Sequence, residues 1–113
     1  MIPQIRPADL ADWLQQQPAG SKPVVLDVRE GWEVQAASVQ PEGFTLVTIP
    51  MNEVPARLEE LDREQPVAVL CHHGHRSQRV AAFLAGNGFE RLANIAGGID
   101  AWSGERDPAV PRY

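Results

Sequence analysis

The chain has 113 residues, of which 43% are hydrophobic and 22% charged, and its formal net charge is -5. This length suits one domain that buries a core without disulfides, and the acidic balance argues against nucleic acid or an anionic membrane as a partner. One cysteine cannot form an internal disulfide, and the chain does not open with a basic segment followed by a long apolar run. We therefore expect a cytoplasmic protein with no membrane span and no cofactor.

Strands and helices are predicted to alternate along the first half of the chain. The predicted elements are an edge strand at 2–5, a helix at 7–14, a strand at 24–28, one or two helical turns at 32–37 and a strand at 44–49. Proline in the first turn favours the helix at 7–14, whose buried stripe is Leu10, Trp13 and Leu14. The residues around the strand at 24–28 are prolines and polar residues typical of turns.

The second half continues the alternation. It predicts a surface helix at 53–63, a strand at 66–70 buried on both faces, a helix at 78–85, a strand at 91–96 and an irregular tail at 104–113. Such alternation is typical of βαβ units, so the fold class is α/β, with a mostly parallel sheet covered by helices on both faces. Ligands of such sheets bind beyond the carboxyl ends of the strands.

The segment Cys-His-His-Gly-His-Arg-Ser, residues 71–77, joins the strand at 66–70 to the following helix. Unpaired N–H groups and the macrodipole at a helix N-terminus favour an anion, so Cys71 is predicted to be a thiolate nucleophile. Gly74 lets the backbone turn so that its N–H groups face inward. Arg76 is the candidate for direct contact with an anionic substrate, because its planar fork matches oxyanions.

All three histidines, His72, His73 and His75, fall in this loop, and Ser77 closes it. We assign them to the substrate-binding set with Gly74 and Arg76, as part of a positive field. The three imidazoles cannot all point into one small pocket, so a surface position for any one of them is an equally weighted alternative. Zinc is not expected, because these residues lack the spaced ligand pairs of a structural site.

Two further features lie at the same predicted edge of the sheet. Asp27 ends an otherwise apolar strand, and a buried carboxylate needs partners. It is therefore either a cap for the following turn, the favoured alternative, or a support for the site, with Arg29 as a second supporting residue. The Gly97-Gly98 turn follows the last strand and is expected on the same rim.

Four segments together resemble the rhodanese-like sulfurtransferases in their single-domain form. They are Leu26-Asp-Val-Arg-Glu30 with Trp32 and Glu33, Ile49-Pro-Met51, the loop at 71–77, and Ala96-Gly-Gly-Ile-Asp-Ala-Trp102. The resemblance implies one domain over 1–113, with a core at about 3–103. It also implies a five-stranded parallel sheet in which the cysteine strand lies beside the Asp27 strand. The segment at 34–43 departs from the family pattern and leaves substrate access on that side open.

The same resemblance implies the chemistry. Cys71 would take a sulfane sulfur from a small anionic donor such as thiosulfate, form a persulfide, and pass the sulfur to cyanide or a thiol. A sulfur-accepting protein is a further candidate partner.

Two alternatives remain open at this point. A cysteine-dependent phosphatase or arsenate reductase shares the sheet, but the resembling phosphatases place one residue more between cysteine and arginine than the four found here. A non-catalytic interaction module is the second alternative, and the presence of Cys71 argues against it.

Overall fold

Five short parallel strands form the centre of the structure, a computed structural model that describes residues 2–113. The strands are β1 (Gln4–Ile5), β2 (Val24–Asp27), β3 (Thr45–Thr48), β4 (Val67–Leu70) and β5 (Leu92–Ile95). The helices are α1 (Leu10–Gln15), α2 (Gly31–Ala36), α3 (His75–Ala85) and α4 (Gly98–Glu105), with 3-10 turns at Pro7–Asp9, Met51–Glu53 and Leu58–Glu60. The order β1-β5-β4-β2-β3 confirms the predicted α/β class. No helix of residues 2–113 is long and apolar enough to cross a bilayer.

The sheet separates two apolar layers, because successive strand residues point to opposite faces. Val25, Ala68 and Ala93 face a layer that contains Leu10 and Trp102, contributed by α1 and α4. On the other face, Leu26 and Val69 pack with Val80 and Leu84 of α3. Because both faces of the sheet are covered, every residue of β2 and β4 is buried, as their largely apolar sequences indicate.

The register of the central strands fixes the edge at which the site lies. Asp27 of β2 pairs with Leu70 of β4, so Cys71 follows directly beside the end of the Asp27 strand. This pairing confirms the neighbourhood that the family resemblance implied.

The predicted helix at 53–63 is wrong. Two 3-10 turns and hydrogen-bonded turns replace it, with short-range bonds such as Leu61 N–H to the Leu58 carbonyl (3.1 Å). Pro55 has no N–H to donate into a continuous helix, and Arg57 leaves helical geometry at φ -112° and ψ 17°. The apolar spacing still predicts the buried face, since Val54 and Leu61 are buried.

The tail also differs from expectation. Helix α4 continues to Glu105, past the predicted start of the irregular tail at residue 104. The remaining residues form turns without helix or strand, but Val110 is buried against the α4 layer. The Ser103 hydroxyl donates to the Val110 carbonyl (2.6 Å) and holds the tail against the domain.

Candidate active site

Cys71 lies in the turn between β4 and α3, and only 1% of its surface is exposed. The Gly74 N–H donates to Cys71 Sγ at 3.1 Å. Gly74 immediately precedes α3 and has φ +100°, a left-handed conformation that a side chain disfavours. The thiol therefore sits at the N-terminus of an 11-residue helix, where backbone donors and the helix dipole suit a thiolate.

A chain of side-chain hydrogen bonds connects the Cys71 sulfur to strands β5 and β1. The Ser77 hydroxyl lies 3.2 Å from Cys71 Sγ and donates to Asn94 Oδ1 in β5. The Asn94 amide in turn donates to the Gly74 carbonyl (3.1 Å) and to Gln4 Oε1 (2.8 Å) in β1. Sequence analysis did not single out Asn94, although a polar residue inside a buried strand is the signal that marks it.

The Gly97-Gly98 turn lies on the same rim, as predicted, and holds the outer side of the loop. The first N–H groups of α4 bind the loop carbonyls: Ile99 N–H donates to Cys71 (2.9 Å) and Asp100 N–H to His72 (3.2 Å). Gly98 has φ +58°, and a Cβ there would lie 2.4 Å from the carbonyl oxygens of both Cys71 and His72. This close approach requires glycine, and it turns both carbonyls toward α4.

The loop histidines do not converge on the sulfur. His73 and His75 are exposed, whereas His72 is half-buried and stacks between His73 (ring centroids 3.9 Å apart) and Tyr113 (4.1 Å). Burial, followed by the neighbouring His73, lowers the pKa of His72 below its usual value of 6.5. His72 therefore contributes little positive charge at neutral pH.

One group of side chains on the loop's outer side could hold a metal ion. Donor atoms of His72, His73 and Asp100 lie within 4.8 Å of one another. The two imidazole rings stack with their planes inclined at 25°. This stacking accounts for the closeness of the two histidines without an ion.

Arg76 lies beside the loop but has a partner that sequence analysis did not assign. Its two terminal nitrogens donate to the Glu33 carboxylate of α2 at 2.7 and 2.8 Å. Arg76 keeps 30% of its side chain exposed, whereas that of Glu33 is buried. The Arg76 hydrogen bonds lower the pKa of Glu33 from 4.5 to about 2, although burial opposes the shift. The pair is therefore ionised on both sides at neutral pH, and its charges compensate.

Asp27 and Arg29 form a fully buried pair at the end of β2. Asp27 Oδ1 accepts the Arg29 backbone N–H (3.1 Å), so Asp27 caps the turn as the favoured alternative predicted. The carboxylate also binds the Arg29 guanidinium, with Nη2 to Oδ2 at 2.7 Å. Arg29 donates further to the carbonyls of Glu33 (3.2 Å) and Ala37 (2.8 Å), and so holds α2 against the sheet.

Tyr113 connects the two ion pairs. Its hydroxyl accepts from Arg29 Nη1 and donates to Glu33 Oε1, both at 3.0 Å. Burial is the main cause that raises the pKa of Tyr113 above 10.0, so the phenol keeps the proton it donates. Trp32, which is 67% exposed, meets the Tyr113 ring edge-on at 6.1 Å. No local pattern in the predicted tail marks Tyr113, because its partners lie about 80 residues earlier.

The fold and this loop together define a class of protein. A buried cysteine at the end of a central parallel strand, with a backbone N–H and a helix N-terminus directed at its sulfur, suits nucleophilic attack on an anionic group. The class is that of cysteine-dependent α/β proteins that act on sulfur or oxyanions.

Comparison with known proteins narrows this class. The family model for the rhodanese-like domain matches residues 10–105, so the chain belongs to the rhodanese-like sulfurtransferase family. Thiosulfate sulfurtransferase GlpE of Actinobacillus pleuropneumoniae is 38% identical over 88 residues, which cover 77% of this chain and 77% of that protein.

Two further relatives extend the comparison. Rhodanese-like/PpiC domain-containing protein 12, chloroplastic, of Arabidopsis thaliana is 38% identical over 93 residues, which cover 79% of this chain and 30% of that protein. This chain thus spans less than a third of that relative. A rhodanese-related protein from Thermoplasma volcanium has a crystal structure that superposes with a TM-score of 0.76 at 31% identity, covering 98% of this chain and 99% of that chain.

Proposed function

We propose that this protein is a persulfide-forming sulfurtransferase that uses Cys71 to move a sulfane sulfur from a donor such as thiosulfate to cyanide or a thiol. The observation that carries the proposal is the Gly74 N–H directed at the buried Sγ, at 3.1 Å, on the N-terminus of α3. A group that holds a thiolate in this way also suits the persulfide that replaces it.

The proposed reaction has two steps that balance in atoms and charge. The Cys71 thiolate attacks the outer sulfur of thiosulfate, an Sγ–S bond forms, and the S–S bond of the donor breaks with its electron pair leaving on sulfite. In the second step cyanide attacks the outer sulfur of the persulfide, thiocyanate leaves, and the Cys71 thiolate is restored. A thiol acceptor takes the sulfur in the same way.

Other loop residues have supporting roles in this proposal. The Ser77 hydroxyl, held by the hydrogen bond that it donates to Asn94, positions the sulfur from 3.2 Å. His73 and His75 lie exposed at the rim, where an anionic donor arrives. Asp27 and Arg29 position α2, and through it Glu33 and Arg76. A reducing compartment such as the cytoplasm suits this chemistry, since Cys71 must stay out of disulfides.

Intact-protein mass spectrometry tests the proposal directly. Incubation with thiosulfate should add one sulfur, about 32 Da, and cyanide should remove it with formation of thiocyanate. Cys71→Ser should show neither reaction, because it removes the only cysteine. A wild-type mass that stays unchanged, or sulfur transfer that persists in Cys71→Ser, would overturn the proposal.

A further inference from the structure

The carboxylate of Glu33 is held more firmly than the arginine it binds. It accepts four hydrogen bonds: two from Arg76, one from the Glu30 backbone N–H (2.8 Å) and one from the Tyr113 hydroxyl (3.0 Å). Glu33 is buried, and breaking its pair with Arg76 would leave a buried charge without its main partner, which is costly. Arg76 is therefore not free to exchange Glu33 for a substrate.

This pairing changes the charge that an incoming sulfur donor meets. Arg76 is the one arginine of the Cys71 loop, and its charge is matched by the ionised Glu33. His72, the histidine nearest the fold's interior, favours its neutral form. A dianion that approaches the negative Cys71 thiolate thus meets a cation whose field is largely cancelled, so repulsion from the thiolate is poorly offset.

We propose that Glu33 is a specificity-determining residue that sets the charge class of the sulfur donor, disfavouring dianions such as thiosulfate relative to donors of lower charge. The inference rests on the proposed function. Glu33 acts through Arg76 and does not touch the transferred sulfur. The Glu33 side chain also accepts the backbone N–H of Glu30, the N-cap residue of α2. The position of α2 therefore affects the position of Glu33 and, through it, the preference for donor charge.

Two donors that both carry a terminal sulfane sulfur, but differ in charge, can separate the effect of donor charge from that of donor reactivity. Thiosulfate is a dianion and releases sulfite, whereas methanethiosulfonate is a monoanion and releases methanesulfinate. In each case the Cys71 thiolate forms the new S–S bond, and the leaving group keeps the electron pair of the broken bond. The intrinsic reactivities of the donors differ, but this difference cancels when the ratio of their rate constants is compared between variants.

The test measures the second-order rate constant of persulfide formation from each donor by single-turnover kinetics. Glu33→Gln should raise the rate with thiosulfate about tenfold and the rate with methanethiosulfonate about threefold, because it uncovers the charge of Arg76. The ratio of the two rate constants therefore rises. Glu33→Asp retains the charge and should keep the ratio close to that of wild type.

Asp100→Asn is the matched control for charge alone. Asp100 is a half-exposed carboxylate on α4 next to the loop, and its side chain pairs with Arg112 rather than with Arg76. Removing it also takes one negative charge from the neighbourhood of Cys71. The donor ratio should change less in Asp100→Asn than in Glu33→Gln, and an equal change would overturn the specific role of Glu33.

Wild-type protein provides a measurement that does not depend on the folding of a variant. With Arg76 compensated, the rate with thiosulfate should rise with ionic strength, and more steeply than the rate with methanethiosulfonate, because salt screens repulsion. A thiosulfate rate that falls with salt would overturn the inference, as would an unchanged donor ratio in folded Glu33→Gln. Failure of wild type to form a persulfide with either donor would overturn the proposed function itself, and the inference with it.

Discussion

What an arginine beside a nucleophilic cysteine can do depends on the group that its guanidinium already binds. The loop sequence predicts that the charged guanidinium of Arg76 binds an oxyanion. In the structure, both terminal nitrogens of that guanidinium bind the Glu33 carboxylate instead. About 30% of the Arg76 side chain remains exposed. We therefore expect a donor to meet Arg76 only as part of a neutral ion pair.

Replacing Arg76 by alanine should impair sulfur uptake from thiosulfate more than sulfur delivery to a thiol. The change leaves Glu33 as an uncompensated negative charge that repels the dianion, which should slow the first step roughly tenfold to a hundredfold. The persulfide, once formed, should react with a thiol at close to the wild-type rate. Stopped-flow measurement of the two half-reactions separates these effects.

The double variant Arg76→Ala/Glu33→Gln is the control for this prediction. It removes both charges and should recover part of the thiosulfate rate lost in Arg76→Ala, because the repulsive carboxylate is gone. Equal slowing of both half-reactions in Arg76→Ala would instead mean that Arg76 shapes the loop.

At the scale of the loop, length decides which group fits at the helix N-terminus. Four residues separate Cys71 from Arg76, and the turn is closed by the Gly74 N–H on Sγ. From this length we expect the loop to have room for one added sulfur atom but to be too small for a tetrahedral phosphate in line with the nucleophile.

We therefore expect no hydrolysis of aryl phosphates by the wild-type protein. A chromogenic aryl phosphate assay checks this, with Cys71→Ser as the background. Clear turnover that disappears in Cys71→Ser would show that the loop is larger than its sequence length indicates.

The elements differ in how well the sequence predicted them. The strands, the Cys71 loop and the Gly97-Gly98 turn could be predicted from short sequence patterns. Apolar runs mark buried strands and glycines mark tight turns, and both depend on local residues only. The helix predicted at 53–63 failed because its apolar spacing describes burial, which Val54 and Leu61 achieve without a continuous helix.

The site's side-chain network was harder to predict than its loop. Asn94 and Tyr113 contact the site through pairings between segments that are distant in the sequence. A single sequence carries no signal for such pairings until the fold is known. Glu33 lies in one of the segments that resemble the family, but its partner Arg76 is 43 residues further along the chain.

For the molecule as a whole, Glu33 makes stability depend on pH. Its pKa lies at about 2 in the folded protein, against 4.5 ordinarily, chiefly because of Arg76. The unfolded chain therefore binds a proton that the folded chain does not between these values. The stabilisation, about 3 kcal/mol, is fully present above pH 4.5 and is lost as pH falls toward 2.

Urea unfolding of wild type and Glu33→Gln across this pH range measures the effect. The difference between their free energies of unfolding should shrink as the pH falls through the window. Glu60 and Glu105 also have lowered pKa values, through Arg57 and Arg6, so the wild-type curve alone does not isolate Glu33. Parallel curves for the two proteins would contradict the assignment.

The surroundings of Cys71 include residues that are far apart in the sequence, at positions 4 and 113. Gln4 of β1 reaches the loop through Asn94, and Tyr113 covers it by stacking on His72. Contacts that span such sequence separations carry a high loop-closure cost. We therefore expect them to be completed late in folding, so that a partly folded chain holds Cys71 without the packing that buries it in the native structure.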